Sequence, residues 1–248
     1  MDRSPPSGGV VAPDIIADLA AASRILAERG VVDGFGHVSM RHPHAPDRFL
    51  MARSLAPALV TPRDILEYDL DSVPIQDFGY GSFLERFIHG EIYKARPDIH
   101  AVVHSHSPSV IPFGLVNKPI RAMFHNAAFL AEGVPVFDIS RRFGATDMLV
   151  CDCAKGLALA ETLEDKHIAM MRAHGSVACG PNLQVAVFRA VYTEVNARIQ
   201  TSATILAEGG SIAALDPEEG RLADGPNQTA GMRAWQLWRA QVRHQVNW

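Results

Sequence analysis

Two histidines one residue apart, His104 and His106, lie in the stretch DIHAVVHSHSPSV at 98–110, directly after the apolar run Ala101-Val102-Val103. On an extended strand, residues i and i+2 point to one face with about 6–7 Å of rise between them, so both imidazoles can reach one point. Such a pair suits a single metal ion and equally suits two hydrogen-bonded core histidines, and the spacing alone leaves both open. A second apolar strand, in MMRAHGSVACG, delivers His174 beside Gly175 at an expected turn, where a glycine lets backbone or ligand approach closely. Three imidazoles with a fourth position open form the shell of a catalytic divalent metal, whereas a structural zinc more typically recruits cysteine. Glu85 stands in the first turns of a segment otherwise rich in Phe, Leu and Ile. It reads either as a solvated carboxylate favoured by the helix dipole or as a fourth ligand or proton carrier near the metal.

The elements that must position these groups follow from periodicity. Residues 13–30, PDIIADLAAASRILAERG, place Ile15, Leu19, Ala22, Ile25 and Leu26 on one helical stripe that Gly30 ends. GHVSMRHP and RFLMAR read as strands, LAPALVTPRD as a loop and ILEYDL as a further strand. Residues 83–96 predict one helix, stopped by Pro97 just before the strand at 101–106. A helix starting near Pro108, a strand in VPVFDI, a helix over 147–163, one strand over 167–180 and a long helix from about Leu183 to Glu208 complete the series. After Gly209-Gly210, LDPEEGRLADGPNQTAG reads as a polar, turn-rich loop, and residues 232–248 as a final helix carrying Trp235, Leu237, Trp238 and Val242. Helices interleaved with strands predict an α/β or α+β layered domain.

The chain has 248 residues, 48% of them hydrophobic and 20% charged, with a net charge of −4. One core of this size is ample, and neither disorder nor a basic nucleic-acid-binding surface is favoured. We expect a disordered tail over 1–12, a catalytic domain over 13–210 and a C-terminal loop and helix over 211–248. Three cysteines, Cys151, Cys153 and Cys179, make no disulfide framework and no CxxC pair. The absence of any apolar run of membrane length, or of a signal peptide, predicts a soluble cytoplasmic protein with neither nucleic-acid nor membrane partners. No Gly-rich phosphate loop and no G-x-S-x-G elbow occurs.

In order and spacing, ERFIHGEIYKARPDIHAVVHSHSPSV at 85–110, GFGHVSMR at 34–41 and MRAHGSVACG at 171–180 resemble the class II aldolase/adducin family. The resemblance implies a three-layer αβα domain with a central mixed or antiparallel sheet. It implies that His104, His106 and His174 bind a divalent metal, zinc or manganese, with iron or cobalt also compatible with imidazole ligands, and that Glu85 is the catalytic glutamate and a possible ligand. Gly36 and His37 fall where the family's sugar-phosphate aldolases contact substrate. Phe83-Leu84 and ARSLAPALV replace the hydroxyl-bearing residues of a phosphate cradle. An apolar wall at Phe83 with Arg53 and Ser54 nearby better suits a flat aromatic carboxylate, and the chain looks most like the branch that decarboxylates hydroxylated aromatic or heteroaromatic acids. In that branch the ring hydroxyl and ortho carboxylate would chelate the metal, which would stabilise an enolate-like intermediate, with His37 and His125 as further catalytic candidates. The alternatives are aldol cleavage of a non-phosphorylated hydroxy-carbonyl compound and, more remotely, a non-catalytic adducin-like module. The family also implies a homotetramer with active sites between subunits.

Overall fold

The computed structural model describes residues 7–76, 79–116 and 118–243. Helix α1, Pro13–Glu28, starts on a proline whose fixed φ suits the first helical position and carries Asp14 in its first turn. It buries Leu19, Ala22, Ile25 and Leu26, as the stripe predicts. Three strands follow, β1 His37–Arg41, β2 Arg48–Ala52 and β3 Ile65–Asp69, then helix α2, Phe87–Ala95, and strand β4, Ala101–Ser105. Further on come β5 Val136–Phe137, the short α3 Ser140–Phe143, α4 Cys153–Leu163, β6 Ile168–Met171, β7 Gly175–Gly180, α5 Leu183–Leu206 and α6 Pro217–Arg243.

The seven strands form one sheet in the order β3-β2-β1-β4-β7-β6-β5, with every neighbour antiparallel except the β5/β6 pair. Because alternate side chains face opposite ways, the sheet feeds two cores. Val38, Leu50, Ala101, Val103 and Ala178 pack with α1, α5 and α6, while Phe49, Met51, Val102, Val177 and Cys179 pack with α2 and α4. This is the expected three-layer α/β domain with a mixed sheet. His104 shares the face of Val102 and is paired in register with His37 across the β1/β4 ladder, so both rings lie under α2.

Several sequence expectations need correction. The single strand expected over 167–180 is a hairpin, β6 and β7, whose turn at Arg172–His174 is closed by Met171 accepting from the His174 N–H and by Ala173 at φ +55°. The helix expected over 83–96 is a single 3-10 turn, Leu84–Arg86, leading into α2, with Glu85 off helical geometry at φ −91°, ψ 19°. The helix expected near Pro108 is only a 3-10 turn, Ile111–Gly114. The loop expected ahead of the last helix is itself helical, and α6 runs for 27 residues with Pro226 inside it. Its Trp235, Trp238 and Val242 sit in the core shared with α1 and α5, so it packs on its own domain. Of the tail expected over 1–12, residues 1–6 lie outside the described residues, while Ser7 Oγ and Gly8 N donate to Glu67 on β3 at 2.6 and 2.5 Å. The last five residues of the expected final helix also lie outside the described residues.

Candidate metal centre

Strand β4 carries His104 with no exposed surface and hands the chain to His106, two residues on. The β6/β7 turn brings His174 to the same place, because Gly175 lets its strand press against β4. A Cβ on Gly175 would stand 2.0 Å from the Ser105 carbonyl oxygen. Glu85 reaches in from the 3-10 turn ahead of α2, and its non-helical backbone is what turns it toward the sheet. The result is one cluster in which a ligand atom from each of Glu85, His104, His106 and His174 lies within 4.8 Å of every other. His106 Nε2 is 3.2 Å from His104 Nε2 and 3.0 Å from His174 Nε2, and Glu85 Oε2 is 3.5 and 3.3 Å from those same two atoms. Four tetrahedral ligands about 2.0–2.1 Å from a zinc-like ion stand about 3.3–3.4 Å apart, so the spacing fits.

Proton accounting reaches the same result. His104 Nδ1 lies 3.2 Å from the Ser176 carbonyl and His174 Nδ1 3.0 Å from that of Met148. A carbonyl only accepts, so each neutral ring carries its proton on Nδ1 and turns a bare Nε2 lone pair inward. One N–H on His106 Nε2 can relieve one neighbour, and the rest of the cluster is acceptor against acceptor. Burial raises the Glu85 carboxyl; positive charge at its contacts with His104 and His174 outweighs that and holds it well below the usual carboxylate range, and with both rings neutral a bound cation would supply that charge. A divalent cation satisfies all four groups at once. Glu85 Oε1 is already committed to the Val150 N–H at 2.9 Å, which leaves Oε2 for the centre.

His37 packs its ring 5.1 Å from that of His104 and 4.6 Å from that of Phe83. Burial first, then His89 and His104, push it well below the ordinary imidazole range. Gly36, at φ +93°, leaves no room for a Cβ beside Val32 and the His104 carbonyl, so its structural part is to let β1 close on β4. Of the expected wall only Phe83 turns inward, and Leu84 is 63% exposed. Arg53 donates from Nε to Asp64 Oδ1 at 2.7 Å, and the Ser54 N–H bonds Gly81 O at 2.7 Å, which places both at the end of β2 beside the segment leading to Phe83. The structure does not bring His125 to the cluster. Its segment runs over the opposite face of the sheet, where Met123 N and Arg121 N bond Asn196 and Gln200 of α5 and the His125 carbonyl accepts from Asn227 of α6.

Three participants had no sequence signal strong enough to single them out. Glu194 on α5 accepts from Ser107 Oγ and from Ser109 Oγ and N, pinning the loop that leaves His106. Phe35, 68% exposed, lies with its ring 6.1 Å from that of His106. His89, fully buried on α2, bonds His37. Burial, which disfavours the charged ring, drives His89 down to about 3. The unfolded chain takes that proton near pH 6.5 and the folded one does not, so this contribution is intact above pH 6.5 and is lost as pH falls. The expected cost from His89 alone is about 2 kcal/mol between pH 7 and pH 5, visible as a lower urea midpoint at pH 5 that His89→Gln makes smaller.

Residues 17–201 match the family model described as the class II aldolase and adducin N-terminal domain. The decarboxylase tropJ of Talaromyces stipitatus is 34% identical over 239 residues, covering 88% of this chain and 90% of the relative. The 3,4-dihydroxyphthalate decarboxylase of Terrabacter sp. is 31% identical over 251 residues, covering 95% and 98%. Among solved structures, the L-fuculose 1-phosphate aldolase of Glaciozyma antarctica superposes with a TM-score of 0.76 at 22% identity over 97% of this chain and 94% of that one, a likeness of fold. With the sheet, the histidine and glutamate cluster and matches spanning nearly its whole length, the chain belongs to the class II aldolase and adducin family.

Proposed function

We propose that the chain is a metal-dependent carbon–carbon lyase that removes carbon dioxide from a hydroxylated aromatic or heteroaromatic carboxylate. The observation that carries this is the near full-length relation to two named decarboxylases, covering 88% and 95% of this chain. The phenyl rings of Phe83 beside His37 and Phe35 beside His106 support it, since two apolar faces flanking a polar centre suit a flat ring better than a sugar phosphate. His104, His106, His174 and Glu85 would hold a divalent cation, zinc or manganese, with iron or cobalt equally suited to the donor set. When bound, such a cation supplies Lewis-acid stabilisation of negative charge on substrate oxygen.

The chain's own groups do the rest. Phe83 and Phe35 hold the ring and exclude water, while Arg53 and Ser54 offer polar contacts at the rim. Loss of carbon dioxide leaves an electron pair on the ring carbon, and that carbon needs one proton from solvent, which Glu85 Oε2 would deliver when it is not ligating the cation, Oε1 being tied to Val150. We further assign a homotetramer with sites between subunits; the exposed Phe35 and Leu84 are surface that a neighbouring subunit would cover. No helix among the described residues is long and apolar enough to cross a membrane.

The test is a carbon dioxide release assay on zinc- or manganese-loaded protein, over ring-hydroxylated aromatic mono- and dicarboxylates, with non-phosphorylated hydroxy-carbonyl compounds alongside. Carbon dioxide from the aromatic acids is the expected result. Aldehyde from the hydroxy-carbonyl compounds with no carbon dioxide would make the chain an aldolase, and a metal-free protein with neither activity would make it a binding module.

A further inference from the structure

A buried chain of hydrogen bonds runs away from the metal cluster beneath α2. His37 Nδ1 lies 2.6 Å from His89 Nε2, His89 Nδ1 lies 2.6 Å from Ser39 Oγ, and Ser39 Oγ lies 2.7 Å from the Tyr93 hydroxyl. His89 and Ser39 have no exposed surface and Tyr93 has 1%, so water does not enter the accounting. Strand pairing and helix periodicity build the chain: His37 and Ser39 alternate onto one face of β1, and His89 and Tyr93 stand four residues apart on the facing side of α2.

Each link holds one proton, and the far end decides which way all of them point. Among the described residues the phenol oxygen has one hydrogen-bond partner, Ser39 Oγ, so the phenol proton has one acceptor, Ser39. Burial pushes the phenol well above its ordinary range, so it keeps that proton. The Ser39 proton then has one acceptor, His89 Nδ1, because the serine's other partner is already donating to it. His89 therefore carries its proton on Nε2 and donates to His37 Nδ1, which must be bare. The opposite polarity, or a doubly protonated His37, leaves the phenol proton with no acceptor in a sealed site, at a cost of about 1–3 kcal/mol. His37 is left with its proton on Nε2, an atom with no hydrogen-bond partner among the described residues, in a residue that keeps 6% of its surface exposed.

We propose that Tyr93, Ser39 and His89 are positioning residues that lock His37 in the Nε2–H form, so that His37 meets the substrate as a neutral hydrogen-bond donor to an anionic oxygen and does not act as a base. The lock stands on the hydrogen bonds alone; the statement about substrate rests on the decarboxylase reading. The same side chain could otherwise be taken for a general base, and the dead-ended chain removes that option by occupying Nδ1 with a donor and Nε2 with a proton.

The test reads the tautomer directly, without substrate. In zinc-loaded protein labelled with 15N-histidine, long-range 1H–15N correlation distinguishes Nε2–H from Nδ1–H rings, and His37→Asn identifies the His37 signals. Nε2–H at both His37 and His89 is the expected result; Nδ1–H or a doubly protonated ring at His37 overturns the lock. Two substitutions at 89 test its direction. His89→Gln keeps an acceptor toward Ser39 and a donor toward His37 and leaves the His37 pattern unchanged. His89→Glu offers only acceptors and drives His37 to Nδ1–H; where it does not fold, the wild-type spectrum and His89→Gln still decide. For the substrate contact, His37→Asn retains a donor and is expected to stay within about tenfold of wild type in kcat/KM, whereas His37→Leu raises KM by 10-fold or more, about 1.4 kcal/mol. Equal effects of Asn and Leu would overturn the donor role even with the tautomer as stated. Failure of the decarboxylase reading shows separately, as absent carbon dioxide release with the His37 spectrum intact.

Discussion

His106→Ala is expected to strip the protein of its divalent metal and to lower turnover by about 10³-fold or more, because several kcal/mol of charge stabilisation go with the ion. His106 is the informative choice among the three imidazoles. Its Nε2 stands between the other two at 3.2 and 3.0 Å, so it is the common neighbour of the cluster. It lies past the end of β4 and is half-buried, whereas His104 is wholly buried within the sheet, where truncation would also open a cavity. Metal content by mass spectrometry should fall from one ion per chain to near none, and added zinc should no longer raise the melting temperature. The metal-free variant should unfold close to the metal-free wild type. A variant that keeps its full complement of metal would remove His106 from the site.

Much of this site was legible because local rules put it there. Alternation along β4 gave His104 its face, and the glycine after His174 marked the turn that delivers the third imidazole. What the sequence hid was direction and distance. Glu85 reads as a helical residue, and only the break at φ −91°, ψ 19° aims it at the histidines. His89 and Tyr93 look like ordinary members of an amphipathic helix, since a partner 50 residues away leaves no local trace. His125, expected near the chemistry, sits beyond the opposite face of the sheet, and no periodicity reports on which side of a sheet a loop returns.

The C-terminal helix was expected only from residue 232, and its first half escaped notice for a different reason. Its buried face is built from Gly220, Asn227, Gly231, Trp235, Trp238 and Val242, which keep helical spacing but include three residues that scales of apolarity ignore. Gly220 lies against Ala131 and Gly231 against Phe188, so the missing side chains are what allow close packing. The start was readable: Asp216-Pro217-Glu218-Glu219 is a capping box with proline at the first helical position, and Asp216 and Glu219 exchange backbone N–H bonds of 2.8 and 3.0 Å.

Glu85→Gln separates the chemistry of the glutamate from its place in the fold. The amide is isosteric, and its oxygen can keep the Val150 N–H bond now made by Oε1. Its nitrogen then faces His104 and His174, where the carboxylate oxygen stands 3.5 and 3.3 Å from two inward lone pairs. In the metal-free protein this exchanges an acceptor among acceptors for a donor, so the variant is expected to melt higher than metal-free wild type. In the loaded protein the balance reverses. A neutral amide replaces an anionic ligand, affinity falls, and the stabilisation RT ln(1 + [L]/Kd) shrinks by about 1.4 kcal/mol for each tenfold loss. The proton carried on Oε2 disappears as well, and a missing general acid or base costs about 10²–10⁴-fold in rate. Melting with and without zinc, beside carbon dioxide release at saturating metal, measures all three quantities. A more stable metal-free variant that binds zinc and still turns over at the wild-type rate would make Glu85 a structural carboxylate; a stable variant that binds zinc and is slow makes it the group that handles the proton.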